Sequence, residues 1–152
     1  MIVQNKNVLE PSKFLYLGFK DGCLKKWDIK GEKVTNDFGK MFDSHEICSM
    51  VLTTDFEYLF IGLGKGKGYS DCVGELKQFD IKEGKVHKDY GRIHTDGICS
   101  MVATNDNEYL LTSSRDKTMK RLSLEQKKVI NDYGQIHKSC IFSIAKTNDD
   151  KY

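Results

Sequence analysis

Three stretches of this chain repeat one another, and that repetition constrains the fold more than any other feature. FGKMFDSHEICSMVLTTDFEYLFIG begins at Phe38, YGRIHTDGICSMVATNDNEYLLTS at Tyr90, and YGQIHKSCIFSIAKTNDDKY at Tyr133. Phe14, Tyr58, Tyr109 and Tyr152 are equivalent positions, 44, 51 and 43 residues apart. Trp27, Phe79 and Leu122 form a second set, and Gly39, Gly91 and Gly134 a third. Repeats of this length are supersecondary units that cannot bury their apolar faces alone and need neighbours to do so. Three full units are present, and the sequence stops just inside the second strand of a fourth.

Each unit reads as β structure. KFLYLGF, EYLFIGL and EYLLTSS are short aromatic and branched runs bounded by turn residues. LKKWDI, LKQFDI and MKRLSL follow them, then KVTNDFG, KVHKDYG and KVINDYG. ICSMV, ICSMV and IFSIA supply one more strand each. No apolar face recurs at helical spacing over the length a helix needs. Four strands per unit of roughly 43 residues is the period of a β-propeller blade.

At this point the chain resembles a known family. HTDGICSMVATNDNEYLLTSSRDKTMKRLSL, residues 94–124, is similar to a WD-repeat unit along its whole length. GRIH and GQIH stand where that family carries its Gly-His signature, and Trp27-Asp28 is a literal Trp-Asp ending. The resemblance covers residues 3–152. It implies an all-β propeller segment of WD-repeat type, with three four-stranded antiparallel blades at about residues 2–38, 47–90 and 98–133. An inner strand of a fourth blade is expected near residues 140–147.

His94, Asp116 and a hydroxyl from Thr112 or Ser114 invite a nucleophilic-triad reading. The resemblance implies instead a structural network of histidine, strand hydroxyl, turn aspartate and tryptophan indole, whose hydrogen bonds fix the geometry of a blade. No blade here has the full set. The third has Leu122 where tryptophan would stand. The first has Asp21 and Trp27 but no histidine, and the second has His45, with Val73 and Phe79 replacing the aspartate and tryptophan. Apolar burial between sheets should therefore carry most of the stability.

GLGKGKGYSD, residues 62–71, looks at first like a phosphate cradle. Tyr58 and Phe79 are 21 residues apart, whereas Phe14 to Trp27 and Tyr109 to Leu122 are both 13, so an eight-residue insertion lies here. A Walker loop fails because Ile61 occupies the first glycine position and Gly68 follows Lys67 where a hydroxyl is required. A dinucleotide fingerprint fails at Lys67, and no helix follows. The stretch is expected to be a flexible, lengthened hairpin tip.

The resemblance places such tips, and the connections between blades, on one face of the disk, a common docking surface. Candidates for partner binding there are Lys65, Lys67, Tyr69, Arg92 and Arg115, among solvating charges such as Lys20, Lys40, Asp43, Glu46, Asp96 and Lys138. Loops on a rigid scaffold are where binding residues accumulate.

Composition narrows the rest. With 24 basic and 22 acidic residues spread along the chain, nothing marks a surface for nucleic acid or an anionic membrane. MIVQNKNVLEPSKF contains no long apolar run, so neither a leader nor a membrane span is indicated. Five cysteines without a C-x-x-C pair suit reduced thiols in a cytoplasmic protein. No histidine, cysteine or carboxylate set has the spacing of a metal or acid-base site, so no cofactor is expected. The leading expectation is a non-catalytic scaffold for proteins or peptides; the alternatives are a structural subunit of a larger assembly and a propeller enzyme. Three blades and one strand cannot close a ring. Apolar side chains around Phe14–Phe19 and Tyr109–Leu111 should therefore lie uncovered, awaiting further blades or another copy.

Overall fold

The computed structural model describes residues 13–65 and 73–147. Eleven strands occur among them, and no helix. Among the described residues β1 (Phe14–Gly18), β2 (Cys23–Asp28) and β3 (Lys33–Lys40) form a three-stranded antiparallel sheet; the part of the four-stranded blade expected from residue 2 that precedes β1 lies outside the described residues. β4 (Glu46–Leu52), β5 (Tyr58–Gly64), β6 (Gly74–Asp80) and β7 (Lys85–His94) form the second sheet. β8 (Ile98–Ala103), β9 (Tyr109–Ser114), β10 (Thr118–Ser123) and β11 (Lys128–Gln135) form the third. Strand order follows chain order in every sheet, so each sequence repeat is one up-and-down sheet.

Two apolar clusters separate the three sheets. Leu24 and Phe42 meet Leu59, Ile61, Leu63 and Phe79 between the first sheet and the second. Phe60 and Leu76 meet Ile98, Met101, Ala103, Leu110 and Leu122 between the second and the third. Alternate residues of β5 thus feed opposite clusters, as the two-residue period of a strand requires. This is why YLFIGLG lacks the usual polar alternation: both of its faces are covered, and Leu59 through Gly64 are all buried. Among the described residues, sheets one and three are each packed against a neighbouring sheet on one side only. Phe14, Leu15, Phe19, Ile29 and Val34 remain exposed on or beside the strands of the first, and Tyr133, Ile136 and Phe142 on or after β11 of the third. Tyr109 and Leu111 are better covered than expected: both are half-buried, and the Arg121 guanidinium lies 5.0 Å from the Tyr109 ring centre.

Two local devices recur from sheet to sheet. In the turn before β5, the Thr53 hydroxyl donates to Asp55 Oδ1 at 2.5 Å and accepts the Tyr58 N–H at 3.1 Å. Before β9, Thr104 does the same with Asp106 at 2.5 Å and Tyr109 at 3.0 Å. The equivalence of TTDFEY and TNDNEY is therefore a turn that closes on a threonine and an aspartate.

The second device lies in the outermost strands. Lys25, Lys77 and Lys120 pair with Asp37, Asp89 and Asp132 at 2.9, 2.7 and 2.6 Å. The other oxygen of each aspartate accepts the N–H of Gly39, Gly91 or Gly134, at 2.9, 2.7 and 2.9 Å. Those glycines have φ of +69, +66 and +65, and the ladder register shifts beside each one. This is a glycine bulge, which bends the outer strand without ending its pairing. It accounts for β7 running on to His94, past the boundary near residue 90 expected from the repeat.

The inner strand expected at residues 140–147 does not form. Residues 141–147 join no ladder among the described residues. They are held instead by the Ile141 N–H donating to Ser114 O at 3.2 Å and the Ile144 N–H donating to Ser100 Oγ at 3.2 Å. A strand needs a neighbour to pair with, and none of the described residues stands beside this one.

Candidate binding face

One end of the three sheets gathers the β1–β2 and β9–β10 turns, the ends of β5 and β6 at Gly64 and Gly74, and the connections that lead into β4 and β8. Close packing of backbone fixes this end. A side chain on Gly74 would meet the Asp96 carbonyl, and one on Gly64 would lie 3.3 Å from Gly97 Cα. The Arg115 N–H donates to Gly97 O at 3.1 Å, tying the third sheet's turn to the connection that precedes β8.

His94 lies just inside this end, 2 % exposed. Its Nδ1 is 3.0 Å from Asp116 Oδ2, and its Nε2 is 2.8 Å from Thr112 Oγ1. Of the two hydroxyls weighed for this network, Thr112 is the one that meets the histidine. Ser114 instead donates to Asp96 O at 2.8 Å and accepts the Asp116 N–H at 3.0 Å. Thr118, missed in the sequence, completes the site: its hydroxyl is 2.6 Å from Asp116 Oδ1 and 3.0 Å from His94 Nδ1. The Thr118 and Thr95 N–H groups also donate to Asp116, each at 2.9 Å.

The charges follow from these partners. Burial lowers the pKa of His94 and outweighs the pull of Asp116, so the imidazole is neutral at pH 7. Burial alone would raise Asp116, but the donors from Thr118 and Thr95, with His94, hold its carboxyl at about 2. With Asp116 ionised, Nδ1–H donates to it and Nε2 accepts from the Thr112 hydroxyl. Ser114, the other hydroxyl considered as a nucleophile, makes no hydrogen bond to His94, and Thr112 is buried with its hydroxyl committed to the ring.

The other sheets carry only parts of this arrangement. Asp21 Oδ1 accepts the Cys23 N–H at 3.1 Å, as Asp116 accepts that of Thr118. Trp27 is not brought to it: the indole-bearing residue sits at the other end of β2, opposite Leu15 and Val34. In the second sheet His45 Nε2 lies 3.5 Å from Glu75, two residues beyond the Val73 position where an aspartate was looked for. Glu75 also meets Lys77 at 2.7 Å, joining the histidine to the Lys77–Asp89 pair.

The partner-binding candidates are dispersed. Lys67 and Tyr69 lie outside the described residues. Lys65 is exposed at the tip of β5. Arg92 turns back, its Nε donating to His94 O at 3.3 Å. Arg115 is the one set in a recess, a cleft of about 250 Å³ shared with Lys20, Glu46, Ile47, Cys48, Cys99 and Phe142. Lys20 is paired with Glu46 at 3.4 Å, whereas Arg115 makes no ion pair among the described residues. Burial raises the Cys48 and Cys99 thiols, so they face the guanidinium uncharged. Both cysteines are half-buried and line the recess.

A second cleft, of about 450 Å³, opens at the opposite end of the sheets between the Thr53 and Asn107 turns, with Tyr58 and His87 on its wall. Among the described residues no group of three or more histidine, cysteine or acidic side chains is placed to hold a metal ion. No helix there is long and apolar enough to cross a membrane. Compared with known proteins, the sequence matches no family model and no curated relative.

Proposed function

We propose that this chain is a propeller segment of WD-repeat type and acts as a non-catalytic scaffold that binds proteins or peptides at the end carrying Arg115. Several features support the propeller reading: sheet-by-repeat construction, packing of successive sheets through their inner strands, and the His94–Asp116–Thr112 network at the position the family resemblance implies. The observation that carries the binding reading is the Arg115 recess. A guanidinium that has the Cys99 thiol as a hydrogen-bond partner but no ion pair among the described residues, together with the 68 % exposed ring of Phe142, offers a cation and an apolar shelf. That combination suits a peptide carboxylate next to an apolar residue, since a charge-assisted bond gains strength where water is partly excluded.

The test is fluorescence polarisation with a panel of short peptides, each pairing one glutamate with a neighbouring leucine or phenylalanine, against glutamine controls. Binding should be lost with the glutamine peptides and weakened about tenfold or more by Arg115→Ala, given the ~1.5–3 kcal/mol of a charged hydrogen bond. Equal binding of both peptide sets, or none, contradicts the reading. A structural role in a larger assembly has its own support in the uncovered apolar side chains Phe14, Leu15, Ile29 and Val34 of the first sheet.

A further inference from the structure

One position of the repeat is a cation in the first and third sheets and a neutral amide in the second. Lys26, Gln78 and Arg121 stand one residue before Trp27, Phe79 and Leu122, so they are equivalent. In the ladders they face Tyr16, Phe60 and Leu111, diagonal to the equivalent aromatic residues Phe14, Tyr58 and Tyr109. Lys26 Nζ lies 4.1 Å from the Phe14 ring centre and 5.9 Å from that of Tyr16. The Arg121 guanidinium lies 5.0 Å from the Tyr109 ring centre. A ring face attracts a cation through its quadrupole, and these two sheets provide that cation themselves.

The second sheet does not. Gln78 is uncharged, and among the described residues no cation lies over the Tyr58 ring. Beside that ring is the cleft of about 450 Å³ between the second and third sheets. The Tyr58 and His87 rings form part of its wall, with centres 5.2 Å apart and planes at 46°. Gln78 lines the cleft and is only 8 % exposed. Its carboxamide oxygen accepts the Tyr90 hydroxyl at 3.3 Å, while its amide nitrogen donates to no group among the described residues. A carboxamide this deeply buried is ordinarily satisfied at both ends, so the free nitrogen is a place for an acceptor brought from outside.

The third sheet gives the cleft its charge. Glu108 and Glu125 line it, and neither makes an ion pair among the described residues. Asp55 is committed to its own turn, accepting from the Thr53 hydroxyl, the Glu57 N–H and the Asn107 amide at 2.5, 3.0 and 3.2 Å. Lys127 is the one cation on the lining, so three carboxylates stand against one ammonium.

We propose that this cleft takes the cationic side chain of an arginine- or lysine-bearing peptide, in the place that Lys26 and Arg121 fill in the flanking sheets. The charge lies against the Tyr58 ring within reach of Glu108 and Glu125. The apolar stem of the side chain packs on Phe60 and Leu124, and a main-chain carbonyl of the peptide accepts from Gln78. A free inorganic cation brings neither stem nor acceptor and leaves Gln78 unsatisfied. The site is at the end opposite Arg115 and needs no part of the reading given for that recess.

The test is an amide chemical-shift titration of the full chain with short glycine peptides carrying one central arginine, lysine or glutamine. The arginine and lysine peptides should shift the amides of Tyr58, Gln78 and Glu108, and the glutamine peptide should not. Glu108→Gln combined with Glu125→Gln should weaken both cationic peptides about tenfold. Tyr58→Leu keeps apolar bulk without the ring face and should weaken them about threefold or more. Gln78→Lys places a cation where the first sheet has Lys26 and should abolish binding, with β5 and β6 amide protection showing that the sheet is intact. Should that variant fail to fold, the two exposed glutamate substitutions still decide. Arg115→Ala should change nothing here, so failure at one end of the molecule leaves the other standing. Cationic peptides that bind no better than the glutamine peptide overturn the proposal. So does binding that survives the loss of both glutamates, or that shifts amides at the Arg115 end instead.

Discussion

His94 is uncharged at neutral pH because burial costs its cationic form more than Asp116 returns. Below its ordinary value of 6.5 the unfolded chain takes up a proton that the folded chain refuses, so stability must fall as the pH drops through that value. Asp116 adds a second loss at lower pH. Its carboxyl sits at about 2 in the fold against an ordinary 3.8, so its contribution is complete above 3.8 and fades as pH falls toward 2. Thermal melts at pH 7 and pH 5 should show a lower Tm at pH 5, and His94→Gln should remove much of that difference. Asp116→Ala leaves the donors of Thr95 and Thr118, and the His94 ring, without their acceptor. It should cost about 1–3 kcal/mol in chemical denaturation, and an unchanged midpoint would mean the network contributes nothing. Gly91 is held at φ +66 with open space around it, so the demand there is conformational and not steric. Gly91→Ala should cost about 1–2 kcal/mol, measured the same way, and Gly134→Ala a similar amount.

Among the elements, β5 and β1 show how much context adds to a shared sequence pattern. Both are aromatic-led runs from equivalent repeat positions, yet β5 is covered on both faces and β1 leaves Phe14 and Leu15 exposed. The strands themselves were legible because branched and aromatic runs alternate with turn residues, and the repeat placed the sheets nearly where they lie. The Lys–Asp–Gly bulge was not read, although KVHKDYG and KVINDYG display it. Its lysine stands on the neighbouring strand, twelve residues before the aspartate, and only the ladder brings the two together. Thr118 was missed because the hydroxyl of the network was sought on the strand before the turn, at Thr112 or Ser114, and Thr118 follows Asp116 at the start of β10. Residues 140–147 were read as a strand because IFSIA resembles the ICSMV of β4 and β8, but sequence similarity supplies no pairing neighbour. Gly62 offers a direct test of how closely the sheets approach. A side chain there would collide with Ser49 Oγ and come within 2.9 Å of Ile98 Cβ across the inter-sheet gap. Gly62→Val should destabilise by about 1–3 kcal/mol, whereas Gly39→Val, with nothing near its Cα substituent, should show only the strain of its positive φ.

For the molecule as a whole, the central claim is serial construction: each repeat is one sheet, the second sheet lies between the other two, and two separate apolar clusters join them. A sandwich of two sheets around one shared core would use many of the same residues, and composition would not tell the two apart. Nuclear Overhauser contacts on a methyl-labelled sample distinguish them most directly. The account predicts contacts from the Ile47 methyls to Gly18 Hα and from the Ile98 methyls to Gly62 Hα, with none between the methyls of Leu24 and Leu122. A Leu24–Leu122 contact, with the two glycine contacts absent, would place both residues in a single core and contradict the serial arrangement.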